Sequence, residues 1–352
     1  MNAPSSPVAA GRIGSTSLRI LRLGLRVAVS MIAVTMLGAV ASGESAPPDA
    51  PHASAWHALM EGRVQDAETA LRGLIAANPA DSYSHQLLCR VYYTEEMYDS
   101  AVHECEAAAA SIRAGREEAS DNQLWLGRAY GMKAQRAGPI AGFKLARKVQ
   151  ASFARAVELN PNNVAALNDL GEYDVDAPFI VGGGLDKAQS LADRMMPHFP
   201  AAAHRLLARM ADSENDLPGA ETEFKRAIAA GNTAEAWIDL AQFYQGRKRT
   251  DDAVAAIRSA IAADRNHGPA LVDAASILIA THRAPDLAER CLRDYLASRA
   301  KTDAAPAFKA HLQLSRLLSA RGNTDEAARE HDAAAALAPE YARSRRAVQQ
   351  GL

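Results

Sequence analysis

Leu126-Gly127-Arg128-Ala129-Tyr130, followed by Ser152-Phe153-Ala154-Arg155-Ala156-Val157-Glu158-Leu159-Asn160-Pro161, is the stretch whose reading decides the fold. Leu126, Gly127 and Tyr130 recur at helical spacing, so they share one face. Gly127 on that face lets a second helix approach closely. Phe153 and Ala156 repeat the spacing on a second helix, which Pro161 stops because proline lacks an amide donor. The unit is a helix-turn-helix hairpin.

Two markers carry this unit along the chain. A small residue stands where the second helix of each hairpin crosses the first, at Ala67, Ala101, Ala188, Ala220, Ala253, Ala288 and Ala327, with Val149 in the third hairpin. The spacings Ala67 to Ala101, Ala188 to Ala220 and Ala220 to Ala253 are 34, 32 and 33 residues. Proline follows that site by twelve residues at Pro79, Pro161, Pro200 and Pro339.

The Leu-Gly-x-x-Tyr, Phe-x-x-Ala and Pro pattern closely resembles the tetratricopeptide repeat, whose period is about 34 residues. The resemblance covers roughly residues 55–345, although only the Leu126 and Trp237 repeats come near the full pattern. It implies an all-α, right-handed superhelical solenoid of about eight antiparallel helix hairpins. A chain of 352 residues with 5% aromatics and abundant alanine suits that class better than a sheet. Two hairpins depart from the pattern. The third has about ten extra residues between its helices, Lys133–Phe143, and the fourth about five, in Ala177–Gly184. Such insertions emerge on one face of a solenoid and are often where binding occurs.

Residues 1–41 hold Arg12, Arg19, Arg22 and Arg26, no acid, and the apolar run Val27–Ala41 ending in Ala39-Val40-Ala41. This is the layout of a secretory signal peptide cleaved after Ala41, and it places the chain in the periplasm. The alternative is an uncleaved segment holding the protein on the inner membrane, the only membrane contact expected. Residues 42–54 read as a flexible linker and 346–352 as a C-terminal tail. The whole chain carries a formal charge of −2, and loss of those four arginines takes it to about −6, which does not suggest a nucleic-acid surface.

The three cysteines, Cys89, Cys105 and Cys291, do not form a disulfide framework. An antiparallel register that sets Cys89 opposite Ala101 and Cys105 opposite His85 offsets the first two by about 6 Å. Buried free thiols are therefore expected, with a Cys89–Cys105 bridge as the alternative.

No active site, metal site or cofactor is expected. Gly182-Gly183-Gly184-Leu185-Asp186-Lys187 lacks the phosphate-loop spacing, and no strand precedes it. Ala177–Val181 reads as an apolar plug folding back on its own hairpin. Asp174 and Asp176 read as solvated or capping acids, and the ten histidines show no ligand spacing. The resemblance places the residue after the small site of each first helix in the concave groove: Arg90, Arg128, Glu172, Arg209, Gln242 and Arg316. Four arginines, one per hairpin, could pair with an acidic partner segment, with Tyr83, Tyr93 and Asn168 adding area and amide bonding. The competing reading makes these arginines exposed, or intramolecular partners of nearby acids. The function expected is a non-enzymatic scaffold that binds a partner protein or peptide in the groove. A soluble subunit of an envelope transport or secretion assembly, self-associating in one version, is the alternative. A small-molecule or metal-dependent enzyme using Gly182–Gly184 is a more distant one.

Overall fold

The computed structural model describes residues 50–343. The expected signal peptide (1–41), the first eight residues of the expected linker and the 346–352 tail lie outside the described residues. The described residues form sixteen α-helices and no strand. They pair as eight hairpins: α1 Ala50–Met60 with α2 Val64–Ala77, α3 Ser82–Thr94 with α4 Tyr98–Ala109, α5 Arg116–Arg136 with α6 Pro139–Leu159, and α7 Val164–Asp176 with α8 Leu185–Met195. The second half continues with α9 Pro200–Ser213 and α10 Leu217–Gly231, α11 Ala234–Gly246 and α12 Thr250–Ala263, α13 Ala270–Ala280 and α14 Pro285–Ala297, and α15 Ala307–Ala320 and α16 Thr324–Leu337. Side chains of Asp81, Asn163, Asp216 and Thr233 accept from backbone amides in the first turns of α3, α7, α10 and α11. Those amides have no partner within the helix, so the caps fix four of the starts.

Every small residue predicted at a hairpin crossing is buried, from Ala67 to Ala327, with Val149 among them. The glycines of the first helices show why. A Cβ on Gly127 would strike the Phe153 ring, and one on Gly171 would lie 2.8 Å from a Leu206 methyl. A side chain at Gly127 would displace the Phe153 ring, and one at Gly171 would oblige the Leu206 methyls to move.

Three expectations are corrected. Helix α1 starts at Ala50, inside the stretch read as linker, because Pro51 in the first turn has the fixed φ that suits a helix start. The Lys133–Phe143 insertion is not a loop between helices: α5 and α6 absorb it and run 21 residues each, against 13 in α3. Ala134, Gln135 and Arg136 favour helix, and the chain reverses only at Gly138, with Pro139 opening α6. The third hairpin is therefore roughly 12 Å longer than its neighbour.

The third correction concerns Cys89 and Cys105, which form a disulfide with a Cα–Cα distance of 5.3 Å. The turn between α3 and α4 centres on Glu96, one residue later than the sequence register assumes. Cβ bonds tilt toward the N-terminus of each helix, so Cys89 leans away from the turn and Cys105 leans back toward it. That tilt closes the remaining offset. Cys291 is a buried free thiol, as expected.

The solenoid also returns on itself, which no sequence marker indicates. Asp303, in the connection before α15, accepts from Arg90 of α3 at 2.7 and 2.8 Å. Glu96 accepts from Lys309 at 3.0 Å and from the Tyr341 hydroxyl at 3.1 Å. Gly62, at φ +78°, faces the backbone of Ala307 so closely that a Cβ would lie 3.0 Å from its nitrogen. Phe308, Ala338 and Tyr341 join the same apolar core as Leu59, Leu71 and Leu87. Beside this contact Glu95 is buried, and burial, then Glu68 and Glu340, push its pKa up to about 7.

The bridge closes a loop with a sequence separation of 16. For a loop of that size, Cys105→Ser should lower unfolding free energy by about 3 kcal/mol. Urea titration of the variant, and of the wild type with reductant, should give the same loss. An unchanged midpoint in both would show that the bridge does not form.

Candidate functional site on the concave face

The first helices of successive hairpins touch one another from α3 through α13, whereas the second helices stand further apart. The first helices therefore line the inner side of the curve. Four of the six groove residues derived from the sequence lie there in ion pairs within the chain.

Arg90 bonds Asp303 with both arms of its guanidinium. Arg128 of α5 donates to Asp169 of α7 at 2.7 and 3.3 Å. Arg205 of α9 bridges backward to Glu172 at 2.6 Å and forward to Asp239 of α11 at 2.8 Å. Arg209 pairs with Asp176 at 3.0 Å. Trp125 lies under two of these cations, with the Arg90 and Arg128 guanidinium carbons 4.9 and 4.7 Å from its ring centre. The Tyr93 ring meets the Trp125 ring edge-on at 5.5 Å. The result is a ladder across five hairpins: the cations of α3 and α5 share Trp125, the charge then alternates from α5 to α11, and Arg90 joins the ladder to the connection before α15.

The expected free arginine ladder is thus corrected: Arg90, Arg128, Arg209 and Glu172 are neutralised inside the chain. The reason is a second row of inward positions one helical turn earlier. Asp169 precedes Glu172 by three residues, Asp239 precedes Gln242 by three, and Arg205 precedes Arg209 by four, so each pair shares one helix face. That spacing could have revealed Asp169, Arg205, Asp239 and Trp125; Asp303 carries no such signal. Among the other expected residues, Asn168 is buried, Gln242, Tyr83 and Tyr93 are half-buried, and Arg316 is exposed on α15. Tyr83 meets the His52 ring edge-on at 5.0 Å.

The ladder is enclosed without being sealed, since Arg128, Asp169, Glu172, Arg205 and Asp239 keep 12–21% of their side-chain surface. Burial acts to raise the pKa of Glu172, but Arg205 and then Arg209 outweigh it and hold the carboxyl below its ordinary value. At Asp169 and Asp239 burial prevails over Arg128 and Arg205 respectively, and both are raised. Burial also pushes the Tyr93 hydroxyl up to about 12.

The fourth hairpin's insertion is a structured turn. Gly182 and Gly184 take φ +102° and +149°, conformations open to glycine, and the Gly184 amide donates to the Asp174 carbonyl at 2.7 Å. Ala177 and Val181 pack inward as the plug reading requires, but Phe179 is 83% exposed and Ile180 47%. Asp174 is not a solvated or capping acid. It is buried, its Oδ1 has no hydrogen-bond partner among the described residues, and burial pushes its pKa up to about 6 against the opposing pull of Lys187. Its neighbour Asp176 is bound to Arg209.

The histidines are less scattered than their sequence positions suggest. His85–Glu104, His204–Glu223 and His311–Glu330 pair at 2.6, 2.7 and 2.6 Å, each across its own hairpin and each 19 residues apart. No cluster of three or more His, Cys, Asp or Glu side chains that could hold a metal ion is found among the described residues. The arrangement offers recognition: fixed charges, aromatic faces and an amide on a partly exposed inner face.

Removing the guanidinium that serves two carboxylates leaves both enclosed and unpaired. Arg205→Met should therefore cost about 3–5 kcal/mol in urea unfolding at pH 7, and a loss under 1 kcal/mol would show the pairs to be incidental. Asp174 gives the opposite sign. Its pKa is 3.8 as a free group and about 6 in the fold, so the folded state holds a proton that the unfolded chain has released between those values. Wild-type stability falls as pH rises through that window and stays lower above it. Asp174→Asn should then be more stable than wild type at pH 7.5 by up to about 3 kcal/mol, with the gap closing below about pH 4. A pH-independent difference would contradict this origin.

No protein-family model matches the sequence, and a search of curated proteins finds no match. Solved structures do resemble it. Yeast Tom70 superposes with a TM-score of 0.52 at 15% identity, over 95% of this chain and 70% of that one. A thermophilic TPR protein of Thermus thermophilus gives a TM-score of 0.43 at 18% identity, over 65% of this chain and 97% of that one. A tetratricopeptide repeat protein of Parabacteroides merdae gives 0.40 at 13%, over 75% and 99% respectively. Eight stacked hairpins with small residues at their crossings, superposing along almost the whole chain on Tom70, give the tetratricopeptide-repeat fold.

Proposed function

We propose that this protein is a non-enzymatic protein-protein interaction scaffold of the periplasm, with the concave face as its contact surface. The observation that carries the reading is the ladder from Arg90 to Asp239, which holds charged and aromatic side chains in place across five hairpins while leaving part of each exposed. Because the guanidinium groups already have carboxylate partners, capture of an acidic segment by free arginines is not the mechanism. A partner segment instead lies against the Trp125, Tyr93 and Tyr83 rings and bonds to the amide of Gln242, while Asn168 is buried and takes no part. Rigid side chains lose little further freedom on binding, so the internal pairs serve recognition by preorganisation. Export is supported by the Arg-rich and apolar layout of residues 1–41. The Cys89–Cys105 disulfide supports it too, since such bonds persist in oxidising compartments.

A photo-crosslinking amino acid at Gln242, on the concave face, should give discrete protein adducts in living cells. The same group at Arg258, exposed on α12, should give none. Absence of adducts from Gln242, or equal adducts from both sites, would refute the groove reading. Export is read separately by denaturing cells directly into an alkylating reagent without reductant: only Cys291 should be alkylated, and three alkylated thiols would refute an oxidising location.

A further inference from the structure

Five large apolar side chains are exposed among the described residues: Met97, Ile112, Ile140, Phe179 and Ile180. All but Ile112 stand at the turns inside hairpins two, three and four, which is one edge of the solenoid. Ile140 is 78% exposed at the start of α6, on the hairpin that outreaches its neighbour. Phe179 and Ile180 sit on a short 3-10 turn, Phe179–Val181, that packs against the flank of α6. Gly182, which follows that turn, faces Gln150 so closely that a Cβ would lie 3.0 Å from its Cγ. Arg147 precedes Gln150 by three residues and so adjoins the flank of α6 that meets the 3-10 turn, and Lys144, three residues earlier again, stands beside Arg147 on the outer face.

Charge on this edge is equally uneven. Residues 133–157 contain Lys133, Arg136, Lys144, Arg147, Lys148 and Arg155 and no acid, in a chain whose formal charge is negative. Lys133, Lys148 and Arg155 pair with Asp99, Glu106 and Glu158, and Arg136 reaches Glu96 at 3.7 Å. Lys144 and Arg147 are exposed and have no ion-pair partner among the described residues. The exposed acids facing these hairpins include Asp99 and Glu106, already bound to Lys133 and Lys148, and Asp186 at the start of α8.

We propose that this edge rests on an anionic bilayer surface, with Ile140, Phe179 and Ile180 entering the interfacial layer while Lys144 and Arg147 meet lipid phosphates. A peptide would need a groove in which to bury its own apolar side chains, whereas these residues stand exposed on the hairpin turns and the flank of α6. Single apolar side chains flanked by cations are the arrangement an anionic interface accepts. This surface is separate from the concave face, so either reading can fail without the other.

The test uses the full chain carrying Ile180→Cys labelled with an environment-sensitive dye. The native thiols do not compete, because Cys89 and Cys105 are bonded and Cys291 is buried. Vesicles of phosphatidylcholine with phosphatidylglycerol should shift the label's emission to the blue, and phosphatidylcholine alone should not. Lys144→Glu with Arg147→Glu should raise the lipid needed for half the response roughly tenfold. A label at Arg258→Cys should stay unshifted. The proposal is overturned if the label at position 180 is unmoved although the chain sediments with anionic vesicles, since binding would then come from another segment. It is equally overturned if the double charge reversal leaves the response intact, or if neutral vesicles give the same shift.

Discussion

The close approach of two helices at a small side chain is the constraint from which the rest of this structure follows. Where Gly127 meets Phe153 and Gly171 meets Leu206, the space for a Cβ is already taken by the neighbouring side chain. The first contact closes a hairpin and the second stacks one hairpin on the next. Repetition of one local contact then produces a curve, and the curve brings the first helices together on its inner side. Charged residues at those inward positions meet partners on the next hairpin as a consequence of this geometry.

The ion-pair ladder is better understood as a spacer than as a source of stability. Enclosed charges lose hydration that their mutual attraction only roughly restores, so well-packed apolar residues could hold the same helices together. What apolar packing would not supply is direction. Arg205 must reach Glu172 on one side and Asp239 on the other, which fixes how far α7, α9 and α11 can rotate past one another. A second set of links acts between hairpins outside the ladder: Tyr92, Tyr130 and Tyr244 each bond a glutamate of the preceding hairpin, Glu68, Glu106 and Glu221. These join the second helix of one unit to the first of the next.

The local parts of this architecture were legible because helix pairing is a short-range matter. Alanine at the crossing, proline past the helix end and leucine at helical spacing report size, backbone chemistry and periodicity, and Ala67 through Ala327 are buried as that reasoning requires. The inward position of Arg90 and Arg128 was legible for the same reason. Their partners were harder to see, since Asp169 is 41 residues from Arg128 and Asp303 is 213 from Arg90. The first distance is about one repeat and could have been found by comparing inward rows; the second depends on the summed curvature of the intervening hairpins, which no single repeat encodes. The cysteine pair shows a finer limit. One residue in the placement of a turn, together with the tilt of Cβ, separates a strained bridge from one whose Cα atoms are 5.3 Å apart.

Closure changes the energetics expected of a repeat array. In an open solenoid each unit contacts only its neighbours, stability is close to a sum of local terms, and the terminal units fray first. Here the second hairpin receives the returning chain at Arg90 and Glu96, next to the cysteine that ties α3 to α4. Fraying of the last hairpin must therefore break contacts with the second, including the enclosed Arg90–Asp303 pair and the Phe308 contact with the common core. The ends gain a non-local term that the middle lacks, and the unit carrying the disulfide is the one to which both ends are secured. A disruption at that hairpin would propagate to the first, third and last hairpins together, which a linear stack of the same repeats would not do.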